Sequence, residues 1–93
     1  MRIRAQRNDA PRGEYSATAG CNTMNGAYAV DGATLRFTAG ATTRMACPTP
    51  IDTLERRLAE ALARTAGWRI KANTLELFDA AGGSLGLLQA VYL

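Results

Sequence analysis

Residues 27–37 read Ala-Tyr-Ala-Val-Asp-Gly-Ala-Thr-Leu-Arg-Phe, and this stretch decides the fold class. Two short strand-like runs flank Asp31-Gly32, a dipeptide typical of tight hairpin turns because such turns require positive φ, which glycine adopts without strain. The stretch therefore predicts two antiparallel strands. Hairpin connections of this length imply an antiparallel sheet, since parallel neighbours need a much longer crossover.

The same alternating pattern extends outward in both directions from this hairpin. Residues 2–7 and Glu14–Ala19 precede it, and three further extended runs follow a single helical segment. That segment carries one apolar stripe, with Thr49 predicted as its N-cap and Gly67 as its C-terminal cap. We predict an α+β fold in which a curved antiparallel β-sheet of about six or seven strands packs on one α-helix, residues 50–66. The predicted core comprises Tyr28, Val30, Leu35, Phe37, Leu54, Leu58, Leu62, Trp68, Leu75, Leu77, Leu87 and Val91.

Composition indicates one small domain with a modest positive charge. The chain has 93 residues and a net charge of +3, and four arginines lie in its first 12 residues: Arg2, Arg4, Arg7 and Arg12. This run fits either a phosphate-contacting arm or a solvated edge strand, and the second is the commoner use of such charges. Aromatic residues make up only 6%, so no nucleic acid is expected as a partner. There is no signal-peptide pattern in this chain, and no apolar run approaches the roughly 20 residues of a transmembrane segment.

The inventory of reactive side chains predicts that this is not an enzyme and has no cofactor. Histidine is absent, which removes the commonest general base and the Ser-His and Cys-His pairs. Three of the eight acidic residues, Asp52, Glu55 and Glu60, lie on the predicted helix beside arginines. No metal site is predicted, since a structural zinc site takes about four Cys or His ligands and the chain has two cysteines.

Both cysteines lie in turn-rich segments that identify a family. Residues 20–26 read Gly-Cys-Asn-Thr-Met-Asn-Gly, and residues 41–48 read Ala-Thr-Thr-Arg-Met-Ala-Cys-Pro. With the hairpin, the leucine-striped helix and the closing meander, this pattern resembles the META domain of the HslJ-like family over about residues 14–92. The family consists of small bacterial envelope or secreted domains, some of them lipoproteins, with a link to stress response and no established activity.

The resemblance implies that residues 1–93 form a single META/HslJ-like domain. Family members usually begin with a tryptophan-containing segment that pairs into the sheet, whereas the one tryptophan here is Trp68. We therefore expect the usual N-terminal strand segment to be missing and one sheet edge to be unpaired. The resemblance also implies a periplasmic, outer-membrane-associated or secreted location.

Three interpretations of Cys21 and Cys47 remain open from the sequence. A disulfide would close a long loop and contribute about 3–4 kcal/mol in the chain-entropy model. As free thiols the two residues would be small buried hydrophobes. A redox-active pair usually has the closer Cys-x-x-Cys spacing. The resemblance to exported domains favours the disulfide, because those domains occupy oxidising compartments.

The candidate motif and interaction residues are Cys21, Asn22, Asn25, Thr43, Arg44, Met45 and Cys47. Asn22 and Asn25 are interpreted as turn formers, and Arg44 as a clamp between the two loops, with anion binding as its alternative role.

The predicted function is a non-catalytic, envelope- and stress-associated module that binds an unknown envelope protein or peptide through a sheet edge or these loops. An open edge would also permit a homodimer. The alternative is a small apolar-ligand or lipid binder, with a groove between sheet and helix lined by Leu54, Leu58, Leu62, Leu77 and Leu87.

Overall fold

The computed structural model describes residues 1–9 and 12–92, with side chains over residues 1–4 and 12–90. Its seven strands close into a barrel in sequence order, and one helix lies between the fourth and fifth strands. The predicted α+β class is thus confirmed. The elements are β1 (Arg2–Asp9), β2 (Arg12–Thr18), β3 (Thr23–Asp31), β4 (Thr34–Thr42), α1 (Ile51–Arg64), β5 (Gly67–Lys71), β6 (Thr74–Phe78) and β7 (Ser84–Tyr92).

The first strand closes the barrel, so the expected open edge at the N-terminal side is wrong. β1 pairs antiparallel with β2 and parallel with β7, and the other neighbouring strands are antiparallel. Interpreting the arginine run as an edge strand is wrong for the same reason. Alternation along β1 turns Ile3 into the core and leaves Arg2 and Arg4 exposed. Arg2 and Arg4 therefore lie on the solvent-exposed face of a strand that is paired on both sides.

The hairpin at residues 27–37 forms as predicted, with its turn one residue later than the Asp31-Gly32 pair. Asp31 pairs with Thr34, and Gly32 has a φ of +61°. Further along the hairpin a register shift separates Met24 from Gly26. A Cβ on Gly26 would collide with the carbonyl oxygen of Thr38, so only glycine fits at this close approach.

The helix runs from Ile51 to Arg64 rather than over residues 50–66. Pro50, not Thr49, is the N-cap, because its carbonyl oxygen accepts the first hydrogen bond of the helix, from the N–H of Leu54 at 3.1 Å. At the other end Thr65, not Gly67, is the C-cap. Its backbone is extended (φ −64°, ψ 129°), and its hydroxyl donates to Ala61 O at 2.6 Å. Gly67 instead begins β5.

The core consists of the side chains that point into the barrel and those on one face of the helix. Leu87, predicted to be buried, is 62% exposed, whereas its neighbour Leu88 is 2% exposed. The cause is a register shift in the pairing of β6 with β7, between Leu77 and Phe78. One extra residue of β7 lies at this point, so the side chains that follow it turn to the opposite face from the one that simple alternation predicts. The side chain of Val91 lies outside the described ones. The buried apolar residues are Ile3, Tyr15, Ala17, Met24, Leu35, Leu58, Ala61, Leu62, Leu75, Leu77, Leu88 and Ala90.

The groove predicted for an apolar ligand is not formed by the expected residues. Leu58 and Leu77 are fully buried in the packed core, Leu62 is almost so, and Leu54 is half-buried. Leu87 lies on the outer face of the barrel, opposite Glu76 on β6. The five leucines therefore do not line one surface.

The seam between β4 and β5 is the weakest closure of the barrel. Its ladder consists of one pair, Thr34 with Gly67, next to a hydrogen bond from the N–H of Leu35 to Ala66 O at 3.0 Å. Beyond this point β4 continues to Thr42 with only β3 beside it among the described strands. Every residue from Thr38 to Thr42 is exposed, on both faces of the strand. The second half of β4 therefore projects past the packed core.

Candidate functional site

A disulfide joins the two cysteine-containing segments. Cys21 follows β2 and Cys47 precedes α1, and their Cα atoms lie 6.2 Å apart. The disulfide prediction is therefore confirmed. Because both segments leave the barrel at the projecting end of β4, the covalent bond fixes the path of the chain from that strand to the helix.

Glu55 on α1 joins the helix to the Cys21-Asn22 segment through hydrogen bonds. Its Oε2 accepts hydrogen bonds from the backbone N–H groups of Cys21 (3.2 Å) and Asn22, and its Oε1 accepts one from Asn22 Nδ2 at 2.9 Å. Glu55 is only 7% exposed. Its assignment to local arginine partners is therefore wrong. The sequence did contain a signal, since position 55 lies in the same stripe as Ile51, Leu58 and Leu62 and is its only acid.

Asn22 and Thr43 connect the two segments through further hydrogen bonds. Asn22 Oδ1 accepts from the Met45 N–H at 2.7 Å and from the Thr43 hydroxyl at 3.2 Å, while Asn22 Nδ2 donates to Met45 O at 3.1 Å. Thr43 Oγ1 in turn accepts from the N–H of Thr23 at 2.9 Å. We call Cys21, Asn22, Thr43, Cys47 and Glu55 the loop lock.

Three other predicted site residues take no side-chain part in the loop lock. Arg44 is exposed, and its guanidinium makes no hydrogen bond or ion pair with any residue that the structure describes. The clamp role predicted for Arg44 is thus wrong, and Asn22 and Glu55 fill it. Met45 contributes its backbone, and the residue is 58% exposed. Asn25 is exposed within β3, opposite Ser16, rather than in a turn. The loop lock therefore presents Arg44 and Met45 to solvent.

A second surface feature lies on the outer face of β5–β7. It is a depression of about 420 Å³ lined by Arg69, Lys71, Thr74, Glu76 and Leu87. Its carboxylate is already paired, because Ser84 donates to Glu76 at 2.8 Å and Arg69 forms an ion pair with it. These two partners hold the pKa of Glu76 below its ordinary value. The carboxylate of this depression is therefore already engaged by two protein side chains.

This geometry defines the class of protein: a small α+β domain with a β-barrel, one packed helix and two loops joined by a disulfide. The META domain family model matches residues 3–92, nearly the whole chain, and the chain belongs to this family. No curated protein and no solved structure matches it. Over the described residues, none of the helical structure has the length and apolar character needed to cross a membrane.

Proposed function

We propose that this domain is a non-catalytic interaction module that binds an extended peptide segment of an envelope protein along the projecting half of β4. The observation that carries the proposal is a strand edge with no partner among the described strands, which leads directly into exposed Arg44 and Met45. Strand addition of this kind obtains affinity from main-chain hydrogen bonds and specificity from adjacent side chains.

The direction of the backbone groups along β4 supports this site. Leu35 turns its N–H away from β3, toward Ala66 O. Because these directions alternate along an antiparallel strand, Phe37 and Ala39 turn their N–H and C=O groups to the same side. Within the described part of the chain, no strand pairs with β4 there. These groups are available to an incoming peptide, since an exposed strand edge is a template for pairing.

The side chains around this edge favour a particular peptide chemistry. Residues 38–42 are Thr-Ala-Gly-Ala-Thr, small enough to let a second backbone approach closely. Arg44 then supplies a guanidinium that is unpaired among the residues the structure describes and that recognises carboxylates with bidentate geometry, and Met45 supplies an adaptable apolar contact. We expect preference for extended peptides that carry an acidic residue beside an apolar one.

The loop lock has a defined role in this proposal. Asn22 binds both backbone groups of Met45, and Cys47 is covalently attached two residues later, so the Arg44-Met45 segment is held before any partner arrives. Holding a binding segment in place lowers the entropy cost of association. The disulfide also supports a location in an oxidising compartment, such as the periplasm or the outer surface of the cell.

The experiment uses a displayed library of random peptides and edge variants of the full chain. Selected peptides are synthesised, and their affinity is measured by fluorescence anisotropy. Ala39→Pro removes an outward N–H and adds a ring on the binding side, whereas Ala39→Ser keeps the N–H and is the matched control. We expect Ala39→Pro to lower affinity by about tenfold or more, the equivalent of about 1.4 kcal/mol, with Ala39→Ser close to wild type.

Arg44→Ala tests the side-chain part of the same proposal. It should weaken peptides that contain an acidic residue and leave their uncharged analogues unaffected. Recovery of no binding peptide, or equal binding by Ala39→Pro with an unchanged circular dichroism spectrum, contradicts the proposal. Sedimentation that shows a dimer abolished by Ala39→Pro would identify a second copy of the chain as the occupant instead.

A further inference from the structure

Three potential metal-ligand atoms converge within the loop lock. The sulfurs of Cys21 and Cys47 and a carboxylate oxygen of Glu55 all lie within 4.8 Å of one another. Cys47 Sγ is 3.5 Å from Glu55 Oε1, and this contact is not a hydrogen bond because a disulfide sulfur carries no hydrogen. Cysteine and histidine alone are too few in the sequence to predict a metal site, whereas the structure adds the carboxylate of Glu55 to the two sulfurs.

We propose that reduction of the disulfide turns the loop lock into a site for one zinc ion, ligated by Cys21, Cys47 and Glu55. A dithiol reductant supplies two electrons and two protons, so the S–S bond breaks, two thiols form and the reductant becomes a disulfide. Zinc then displaces the two thiol protons into solvent and binds both thiolates together with Glu55 Oε1. The fourth position is open to water, since Cys21 and Cys47 are half-buried and therefore accessible.

The distances suit tetrahedral zinc. Zinc–thiolate bonds of about 2.3 Å and zinc–carboxylate bonds of about 2.1 Å place sulfur and oxygen about 3.6 Å apart at the tetrahedral angle. The distance between Cys47 Sγ and Glu55 Oε1, at 3.5 Å, already has this value. Once the S–S bond is broken, the sulfurs can separate to the roughly 3.8 Å that two thiolates on one zinc ion require.

The surrounding hydrogen bonds orient these ligands. The N–H groups of Cys21 and Asn22 both donate to Glu55 Oε2, whereas Oε1 accepts one hydrogen bond, from Asn22 Nδ2, and has a second lone pair for the metal. Asn22 Nδ2 lies 3.1 Å from Cys47 Sγ, and a hydrogen bond to a thiolate there would replace one of its two present ones, to Met45 O or to Glu55 Oε1. Hydrogen bonds of this kind fix the orientation of the metal ligands and raise metal affinity. The two loops would then be joined in both redox states, by the disulfide when oxidised and by zinc when reduced.

The test titrates Co²⁺, a spectroscopic substitute for Zn²⁺, into the full chain kept reduced with a non-thiol phosphine. We expect one equivalent to bind, with cobalt–thiolate charge-transfer absorption and the visible bands of tetrahedral Co²⁺, and Zn²⁺ to displace it. The oxidised protein should give no such spectrum. Absence of the spectrum in the reduced protein, or saturation at half an equivalent by two chains sharing one ion, overturns the proposal.

Two further measurements separate ligation by Glu55 from simple dithiol binding. Glu55→Gln should weaken Co²⁺ binding at least tenfold, with Glu60→Gln, an exposed residue of the same helix, unchanged. In wild type, each tenfold rise in free Zn²⁺ above its dissociation constant should raise the disulfide reduction potential by about 30 mV. Equal Co²⁺ affinity of the Glu55→Gln variant, or a potential that does not move with zinc, contradicts the three-ligand site. Binding of peptides to the oxidised protein is unaffected by either result.

Discussion

Replacing Glu55 with alanine is the sharpest perturbation of the loop lock. The change removes the acceptor of three hydrogen bonds, from the N–H groups of Cys21 and Asn22 and from Asn22 Nδ2. Hydrogen bonds to a charged group contribute about 1.5–3 kcal/mol each, but water can reach the partly buried donors after truncation. We therefore expect a net loss of about 2–4 kcal/mol in the free energy of unfolding.

This loss is large for a domain of this size. At about 0.05–0.15 kcal/mol per residue, the whole chain has about 5–14 kcal/mol of stability, so one side chain would account for a substantial part of it. A loss of about 3 kcal/mol corresponds to a fall in Tm of about 12–24 °C for a domain of up to 100 residues. Urea unfolding followed by Trp68 fluorescence, with the disulfide intact, measures the change directly.

Glu60→Ala is the matched control. Glu60 lies on the same helix but is exposed, so its removal should change stability by no more than about 0.5 kcal/mol. The difference between the two variants isolates the contacts of Glu55 from any effect of the substitution on helix propensity. Equal losses in the two variants, or a loss below about 1 kcal/mol in Glu55→Ala, would refute the role given to this carboxylate.

Three further predictions test the packing of the barrel. Leu58→Ala should lower the free energy of unfolding in urea by about 2–5 kcal/mol, while Leu87→Ala on the outer face should lower it by under about 0.5 kcal/mol. Similar losses in the two variants would contradict the described position of the core. Gly26→Ala should cost about 2–3 kcal/mol, because the added Cβ meets the Thr38 carbonyl and the Tyr15 ring, and an unchanged midpoint would contradict the close approach. Burial raises the pKa of the Tyr15 phenol. The stability that the neutral phenol contributes is therefore fully present below its unfolded-state pKa of about 10, and it is lost as the pH rises through the higher folded-state pKa. Tyr15→Phe should therefore lose less stability than wild type between neutral and strongly alkaline pH, and equal alkaline slopes would contradict the burial of this phenol.

The architecture was predictable because its signals are local. The turn around Gly32, the single apolar stripe of α1 and the alternating strands each depend on a few neighbouring residues. The set of β7 side chains that points into the core was not predictable. The register shift opposite Phe78 arises from pairing with β6, and the alternation of residue types along β7 does not indicate it. Closure of the barrel by β1 likewise depends on a partner far along the chain, β7.

The candidate site was likewise predictable only in part. The sequence placed Cys21, Asn22, Thr43 and Cys47 in two segments, and the structure joins them through the disulfide and Asn22. Arg44 was expected to make that connection because it has the most donors in its segment. The role belongs to Glu55, whose distance from Asn22 in the sequence concealed the contact. A lone acid within an apolar helix stripe indicates a buried partner, and that partner becomes evident only when the helix is placed against the sheet.

Amide hydrogen exchange along β4 tests the central claim most directly. In the free protein, the N–H groups of Arg36 and Thr38 face β3 and that of Leu35 is bonded to Ala66, so all three should exchange slowly. The N–H groups of Phe37 and Ala39 should exchange rapidly and become protected when a selected peptide is added. Slow exchange at Phe37 and Ala39 in the free monomer, or no added protection in the complex, would contradict the account.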